Sequence, residues 1–303
     1  MARPATRTVR LIAVALAGAL LAGCGAASGG AVDPPGTVYV VNSYGGTLSV
    51  IRPDGPVDRT IVVGSTPDGV AIAPAGTPAA GTVYVVDAGA WSGWDVRVFA
   101  PGGAPLDPIT HLGGGQRWLT VAPSGVPNAG RLYVPNYRDG TVTAAATDGT
   151  PLPPIEDVGT GPRGVAVAPT GTPQAGDLYV TNLDGTVSVM TPDGALRSTL
   201  TSGGGPQCVA VAPADVPNAG LVYVANNDDG TVTVFGPDGS TVATIVVGLA
   251  PTGVAVAPAG TPHPGRVYVT NTGDATVSVI EPDGTVSATI AVGPGPTGIV
   301  VAP

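Results

Sequence analysis

The stretch GPRGVAVAPTGTPQAGDLYVTNLDGTVSVMTPDGALRSTL, residues 161–200, decides the fold, because near-copies of it run through the chain. A tyrosine marks each copy, and the intervals are 45, 49, 46, 44 and 45 residues (Tyr39, Tyr84, Tyr133, Tyr179, Tyr223 and Tyr268). A repeat of about 40–45 residues that holds several short strands is typical of a β-propeller blade. The period therefore predicts one closed repeat domain.

Each copy carries four strand patterns, which we name A to D in chain order. Strand A is apolar on both faces and small enough for a crowded hub (69–73, 118–122, 164–168, 208–212, 253–257 and 298–302). Strand B holds the tyrosine (37–41, 82–86, 131–135, 177–181, 221–225 and 266–270), and strand C alternates polar and apolar residues (47–51, 95–99, 141–145, 186–190, 231–235 and 276–280). Strand D is variable and charged, as suits an outer edge.

The order of the patterns predicts how the ring closes. The chain begins with strands B, C and D and ends with strand A alone. Pairing of residues 298–302 with 37–41 would remove both unpaired edges. We therefore predict an all-β, six-bladed propeller with four antiparallel strands per blade, spanning residues 36–303.

The repeat resembles the YVTN-type β-propellers, a family that is similar to YncE-like and NHL-like repeat proteins. Residues 179–182 and 268–271 read YVTN, and TVSV follows each at 186–189 and 276–279. The resemblance covers nearly all of residues 36–303. It implies the fold but little about function, because such propellers include cell-surface, binding and enzymatic proteins.

The N-terminus predicts export. Three arginines precede a 13-residue apolar stretch, and residues 21–24 read LAGC, which resembles a bacterial lipobox. We predict a lipoprotein signal peptide at 1–23, lipidation of Cys24 and a tether at 24–35. An ordinary secretory signal with an incidental cysteine remains the alternative. The expected location is the cell membrane, lipid-anchored on its extracytoplasmic side.

The charge balance argues against nucleic acid as a partner. Three of the 12 basic residues precede Cys24, which leaves 9 against 21 acidic residues and a net charge of −12. An acidic domain without lysine binds nucleic acid poorly. The other cysteine, Cys208, replaces a glycine of strand A and is predicted to be a small buried side chain.

Departures from the repeat locate a candidate binding site. The second copy has a longer B–C loop with Trp91 and Trp94, and the next connections bring further aromatic and polar residues (Gln116, Arg117, Tyr137, Arg138 and Arg163). B–C and D–A connections share one propeller face, and Trp, Tyr and Arg dominate binding hot spots. The hypothesis is a site for a wall glycan, a peptide or a protein. Alternatively, the tryptophans fill a gap and the arginines pair with acids such as Asp139. Trp118 begins a buried strand and is a candidate core residue.

Two further rings follow from the repeat. An Asn or Asp opens each B–C loop and is interpreted as a structural cap rather than a ligand ring (Asn42, Asp87, Asn136, Asn182, Asn226 and Asn271). The residues just before strand A are predicted to surround the channel mouth (Asp68, Arg117, Arg163, Gln207, Thr252 and Thr297). Their mixed charge argues against a symmetric metal ring.

Catalysis has little support in the sequence. His111 and His263 are expected to lie apart, and Glu156 and Glu281 lie at outer positions. No cofactor is predicted, although the loop at 226–230 offers oxygen ligands for Ca²⁺. The sequence thus favours a non-catalytic binding module, with a metal-assisted lactonase- or lyase-like enzyme and a purely structural envelope protein as alternatives.

Overall fold

The computed structural model describes residues 35–62, 67–74, 76–80, 82–87, 96–99, 105–109, 112, 115 and 118–301. The predicted signal peptide and all but the last residue of the predicted tether lie outside the described residues. Within these ranges the regular structure consists of short strands, and adjacent strands pair antiparallel. Among the described residues, no helix is long and apolar enough to cross a membrane.

The strands group into five four-stranded sheets and one three-stranded sheet, which we number in chain order. Sheet 1 contains β1 (Val38–Asn42), β2 (Thr47–Ile51), β3 (Val57–Val62) and the last strand, β23 (Pro296–Val301). Sheet 2 contains β4 (Pro67–Ile72), β5 (Val83–Asp87), β6 (Val96–Phe99) and β7 (Pro105–Ile109). Sheet 3 contains β8 (Thr120–Val121), β9 (Leu132–Asn136) and β10 (Thr141–Ala145).

The remaining sheets repeat one pattern closely. Sheet 4 contains β11 (Pro162–Val167), β12 (Leu178–Asn182), β13 (Thr186–Met190) and β14 (Leu196–Thr201). Sheet 5 contains β15 (Pro206–Val211), β16 (Val222–Asn226), β17 (Thr231–Phe235) and β18 (Thr241–Val246). Sheet 6 contains β19 (Pro251–Val256), β20 (Val267–Asn271), β21 (Thr276–Ile280) and β22 (Val286–Ala291).

The two ends of the chain close the ring, as the strand order predicted. β23 pairs antiparallel with β1, and Val301 lies opposite Val38 while Ile299 lies opposite Val40. The inner strands then contact one another in a circle, in the order β4, β8, β11, β15, β19, β23 and back to β4. This pairing therefore covers the inner edge of β1.

The prediction of six four-stranded blades is wrong. The propeller has five four-stranded blades, and sheet 3 lacks a fourth strand. The chain after β10 reads PLPPIEDV from Pro151, and it touches β10 through two isolated bridges, Val142 to Ile155 and Ala145 to Pro151. Proline has no backbone N–H and cannot sustain a ladder, so three prolines within four residues reduce the outer strand to those bridges.

Close approach of backbones at the hub explains why strand A carries a glycine in most sheets. A Cβ at Gly164 would lie 2.2 Å from the Gln207 carbonyl oxygen, and one at Gly253 would lie 2.2 Å from that of Thr297. Trp118 stands at the equivalent position of sheet 3, where the strand predicted at 118–122 is shortened to β8. The indole is far too bulky for such a close approach of backbones. It is buried instead, in one apolar cluster with Cys208 of sheet 5.

The tyrosines that mark the repeat fill the space between neighbouring sheets. All six are buried, with exposed fractions of 4% or less (Tyr39, Tyr84, Tyr133, Tyr179, Tyr223 and Tyr268). Tyr179 of sheet 4 packs with Val209 and Val224 of sheet 5, and Tyr223 of sheet 5 packs with Val254 and Val267 of sheet 6. Each repeat of the sequence thus contributes one buried tyrosine to its sheet.

Candidate functional site

The B–C turns and the D–A loops lie together on one face, which we call the upper face. In sheet 4 the backbone N–H of Leu183 donates to the Thr160 carbonyl at 2.9 Å, and in sheet 1 that of Ser43 donates to Gly295 at 2.8 Å. Each of these bonds joins a B–C turn to the D–A loop that enters the same sheet. The A–B loops and the C–D turns form the opposite, lower face.

The asparagines of the B–C turns have a structural role, as interpreted from the sequence. Asn226 is buried, and its amide nitrogen donates to Thr231 at 3.0 Å and to Thr233 at 2.8 Å. The same pair of bonds to strand-C hydroxyls recurs in sheets 1, 3, 4 and 6 (Asn42, Asn136, Asn182 and Asn271). The side chain of Asp87 lies outside the described residues. Buried amides with satisfied donors are not available to a ligand.

Tyr137 and Arg163 meet on the upper face at the boundary of sheets 3 and 4. The guanidinium carbon of Arg163 lies 5.7 Å from the centre of the Tyr137 ring, which is within the range of a cation–π contact. The Tyr137 side chain is 41% exposed, and its edge lies over Gly161 beside Leu183. We call Tyr137, Arg138, Arg163 and Leu183 the Tyr137 cluster.

The Tyr137 cluster combines an aromatic face, an aliphatic side chain and positive charge. Leu183 is 40% exposed, and Arg138 follows Tyr137 in the same exposed turn. An arginine that stacks on an exposed ring keeps its planar N–H groups available for a carboxylate. The arrangement can therefore bind an anionic group beside an apolar surface.

The other predicted site residues divide into two groups. Trp91, Trp94, Gln116 and Arg117 lie outside the described residues, and their membership of the site stays a prediction. Trp118 is described and is only 8% exposed, within the apolar cluster of Cys208. Trp118 is therefore a core residue and not a ligand contact.

Three of the predicted channel-mouth residues form side-chain hydrogen bonds, namely Asp68, Thr252 and Thr297. Ser43 Oγ lies 2.8 Å from Thr297 Oγ1 and donates to Asp68 Oδ1 at 3.3 Å, which links sheets 1 and 2. Thr252 Oγ1 lies 2.6 Å from Thr272 Oγ1. Asp68, Gln207 and Thr252 are buried. The contact of Ser43 with Asp68 gives this part of the ring a role in joining sheets at the hub.

In the loop considered for Ca²⁺, residues 226–230, an aspartate side chain is bound by a backbone N–H of the preceding loop. Asp229 Oδ2 accepts a bond from the Gly204 N–H at 2.6 Å, and Asp228 lies against Gly205. Among the residues that the structure describes, no three or more His, Cys, Asp or Glu side chains are placed to hold a metal ion.

One polar cleft was missed by the sequence analysis. It lies on the lower face between sheets 6 and 1, has a volume of about 720 Å³, and we call it the seam cleft. His263 contacts Asp54 there, and Arg266 bonds to Glu281 at 2.9 and 3.3 Å and to the Pro53 carbonyl at 3.3 Å. Residues from both ends of the chain build it, so no single repeat carries a signal for it.

The charges of the seam cleft are satisfied internally. Burial opposes ionisation of Glu281, but hydrogen bonds from Ser287 and Arg266 outweigh it and lower the pKa of this carboxyl. His263 lies on the lower face, as predicted, far from the Tyr137 cluster. Because the contacts of His263 with Asp54 and of Arg266 with the Pro53 carbonyl cross the junction of the last and first sheets, the cleft stabilises ring closure.

Comparisons with known proteins define the class as a β-propeller. A protein of unknown function from Bacteroides caccae is 14% identical, covers 88% of this chain and 99% of its own, and has a TM-score of 0.62. The nidogen–laminin complex matches at 15% identity, 88% and 98% coverage and a TM-score of 0.67. The WD40 β-propeller domain of Doa1 matches at 14% identity, 86% and 80% coverage and a TM-score of 0.59.

The similarity to these structures establishes the fold alone, because the identities are low. No protein-family model matches the chain. No curated protein matches it either. The particular type of propeller therefore rests on the sequence motifs.

Proposed function

We propose that this YVTN-like propeller is a non-catalytic binding module of the cell envelope, anchored through Cys24, and that the Tyr137 cluster is its ligand site. The observation that carries the proposal is the contact of Arg163 with the exposed ring of Tyr137. Arginine and tyrosine are over-represented in binding hot spots. The repeat requires neither residue, because no other copy has a tyrosine at the position of Tyr137 and the positions equivalent to Arg163 hold Asp, Arg, Gln or Thr.

The chemistry of the cluster favours an anionic ligand. The chain beyond Cys24 carries a net charge of −12, so the positive charge of Arg163 beside an exposed tyrosine contrasts with the overall charge of the protein. A carboxylate would bind Arg163, and an apolar sugar face or side chain would pack on Tyr137 and Leu183. An acidic wall glycan, an acidic peptide and an acidic protein segment share this chemistry. The site would extend further along the upper face if it includes the other residues predicted from the sequence (Trp91, Trp94, Gln116 and Arg117).

A thermal-shift screen of residues 25–303 tests the site. The probes are acidic wall glycans, muropeptides, acidic peptides and divalent cations, and a ligand of the native state raises the apparent melting temperature. The test variant is Tyr137→Ala/Arg163→Ala, and the matched control is Arg52→Ala, an exposed arginine of the lower face. A shift that the control keeps and the double variant loses supports the proposal.

Two results would overturn the site. A shift that survives in the double variant places binding elsewhere, and a shift with divalent cations alone favours the metal-assisted alternative. If neither glycan nor peptide shifts the melting temperature, a structural role is favoured. Membrane fractionation of cells that express Cys24→Ser tests the anchor separately, because loss of lipidation releases the protein from the membrane fraction.

A further inference from the structure

The chain enters the propeller on the lower face. Gly36 begins the described fold next to the A–B loop of sheet 6 and the C–D turn of sheet 1. A Cβ on Gly36 would lie 2.9 Å from Pro262 Cδ and 3.2 Å from Pro53 Cγ. The Tyr137 cluster lies on the upper face. The ordered strands of the blades therefore separate the entry point from the candidate ligand site.

Ionised carboxylates surround the lower face. Asp148, Asp193, Asp238 and Asp283 occupy equivalent C–D turns, and all four are exposed. Hydrogen bonds within the turns, from Thr150, Thr191, Ser240 and Thr285, lower the pKa of each carboxyl. Asp54 occupies the same position in sheet 1 with 75% of its side chain exposed. Such a ring is repelled by anionic lipid headgroups over about one Debye length, roughly 8 Å at physiological salt.

We propose that the anchored propeller stands with its lower face toward the bilayer, held off it by the aspartate ring, and presents the Tyr137 cluster away from the membrane. This inference rests on the proposed anchor at Cys24. Residues 24–34 reach at most about 40 Å when fully extended, at 3.3–3.6 Å per residue. In this orientation the tether joins the protein on its lipid-facing side, and the partner of the Tyr137 cluster lies on the distal side of the protein rather than in the anchoring membrane.

Energy transfer to the bilayer tests the orientation. The full chain is expressed in a bacterial host, and the membrane-bound product is reconstituted into phosphatidylcholine–phosphatidylglycerol vesicles that carry an acceptor lipid. A fluorescent amino acid replaces either Thr160 on the upper face or Thr170 on the lower face. Both residues are exposed, and they flank the same strand, β11, so they are separated by roughly 20 Å at about 3.3 Å per residue.

The expected result is several-fold greater transfer from position 170 than from position 160. Equal transfer, or greater transfer from position 160, overturns the orientation while the anchor stands. A product that does not associate with vesicles overturns the anchor and, with it, the orientation. Binding by the Tyr137 cluster is measured on the soluble chain, so its failure is seen separately.

A second comparison tests the aspartate ring. Asp→Asn substitutions at positions 148, 193, 238 and 283 keep the turn chemistry and remove the charge. Transfer from position 170 should rise in this variant on vesicles with anionic lipid and stay unchanged on neutral ones. Unchanged transfer on both kinds of vesicle would show that the ring does not hold the propeller off the bilayer.

Discussion

Asn226 joins two sheets of the ring through a single side chain. Its amide nitrogen donates to Thr233 at 2.8 Å within sheet 5, and its amide oxygen accepts from the Gly203 N–H at 3.2 Å in the loop that arrives from sheet 4. The oxygen also accepts from Ser202 at 2.6 Å. The asparagine therefore links two consecutive blades through hydrogen bonds.

Replacement of Asn226 by alanine should destabilise the protein by about 2–3 kcal/mol. The substitution leaves the buried Thr233 hydroxyl and the half-buried Gly203 N–H without this partner, and an unsatisfied buried group costs about 1–3 kcal/mol. Urea unfolding followed by circular dichroism measures the loss, with Asp215→Ala in an exposed A–B loop as the control. A loss no larger than that of the control would mean that the amide is dispensable.

The sequence predicted a structural role for this asparagine, as a cap of the turn, but not its bonds to the neighbouring blade. Asn226 recurs with a threonine or serine at fixed distances, and register then brings them together. The third sheet could not be predicted in the same way. The period led us to expect an outer strand, whereas the local covalent chemistry of Pro151, Pro153 and Pro154 prevented it.

Contacts at the seam depend on closure of the whole ring. His263 and Asp54 are 209 residues apart and belong to different copies of the repeat. Asp54 is the aspartate that most C–D turns share, but no other copy has a histidine at the position of His263. Their pairing, and that of Arg266 with Pro53, follows from which blade closes on which, so a comparison of repeats does not reveal it.

Deletion of residues 294–303 should abolish cooperative thermal unfolding. The deletion removes β23 and exposes the inner edge of β1, in which all five residues are buried. A control that lacks only residues 302–303 keeps β23 whole. Calorimetry measures both proteins, and a cooperative transition of the longer deletion near the full-length melting temperature would show that closure is unnecessary.

Alkaline pH should destabilise the protein through its buried tyrosines. Burial, reinforced by the charge of Asp177, raises the pKa of Tyr179 to about 12. Between pH 10 and 12 the unfolded chain releases a phenol proton that the folded chain retains, so the free energy of unfolding falls as the pH rises. Urea midpoints across this range should fall less steeply in Tyr179→Phe. Tyr44→Phe, at a site that is 79% exposed, should follow the parent protein.

Arg163→Ala should leave the fold nearly as stable as before. A cation–π contact at an exposed site contributes about 0.5–1 kcal/mol, and Tyr137 is 41% exposed. Chemical denaturation should therefore show a change within about 1 kcal/mol. A larger loss would identify Arg163 as a structural residue, and a loss of ligand binding in that variant would then not report on a site.

The stability of Trp118→Gly distinguishes an expectation based on comparison of the repeats from one based on the structure. Glycine occupies the equivalent position in several other inner strands, so comparison of the copies alone predicts a neutral or stabilising change. The structure predicts the opposite, because the buried indole belongs to the apolar cluster of Cys208 and Val254, and its removal leaves a cavity at the hub. Removal of a buried Trp side chain costs about 3–5 kcal/mol.

The matched control is Cys208→Gly. It also places glycine at this position of strand A, but it removes a much smaller side chain than the indole. Urea unfolding should show a loss in Trp118→Gly several times that in Cys208→Gly. If Trp118→Gly is as stable as the parent protein, the hub tolerates an empty space there. The shortening of β8 would then need a cause other than the indole.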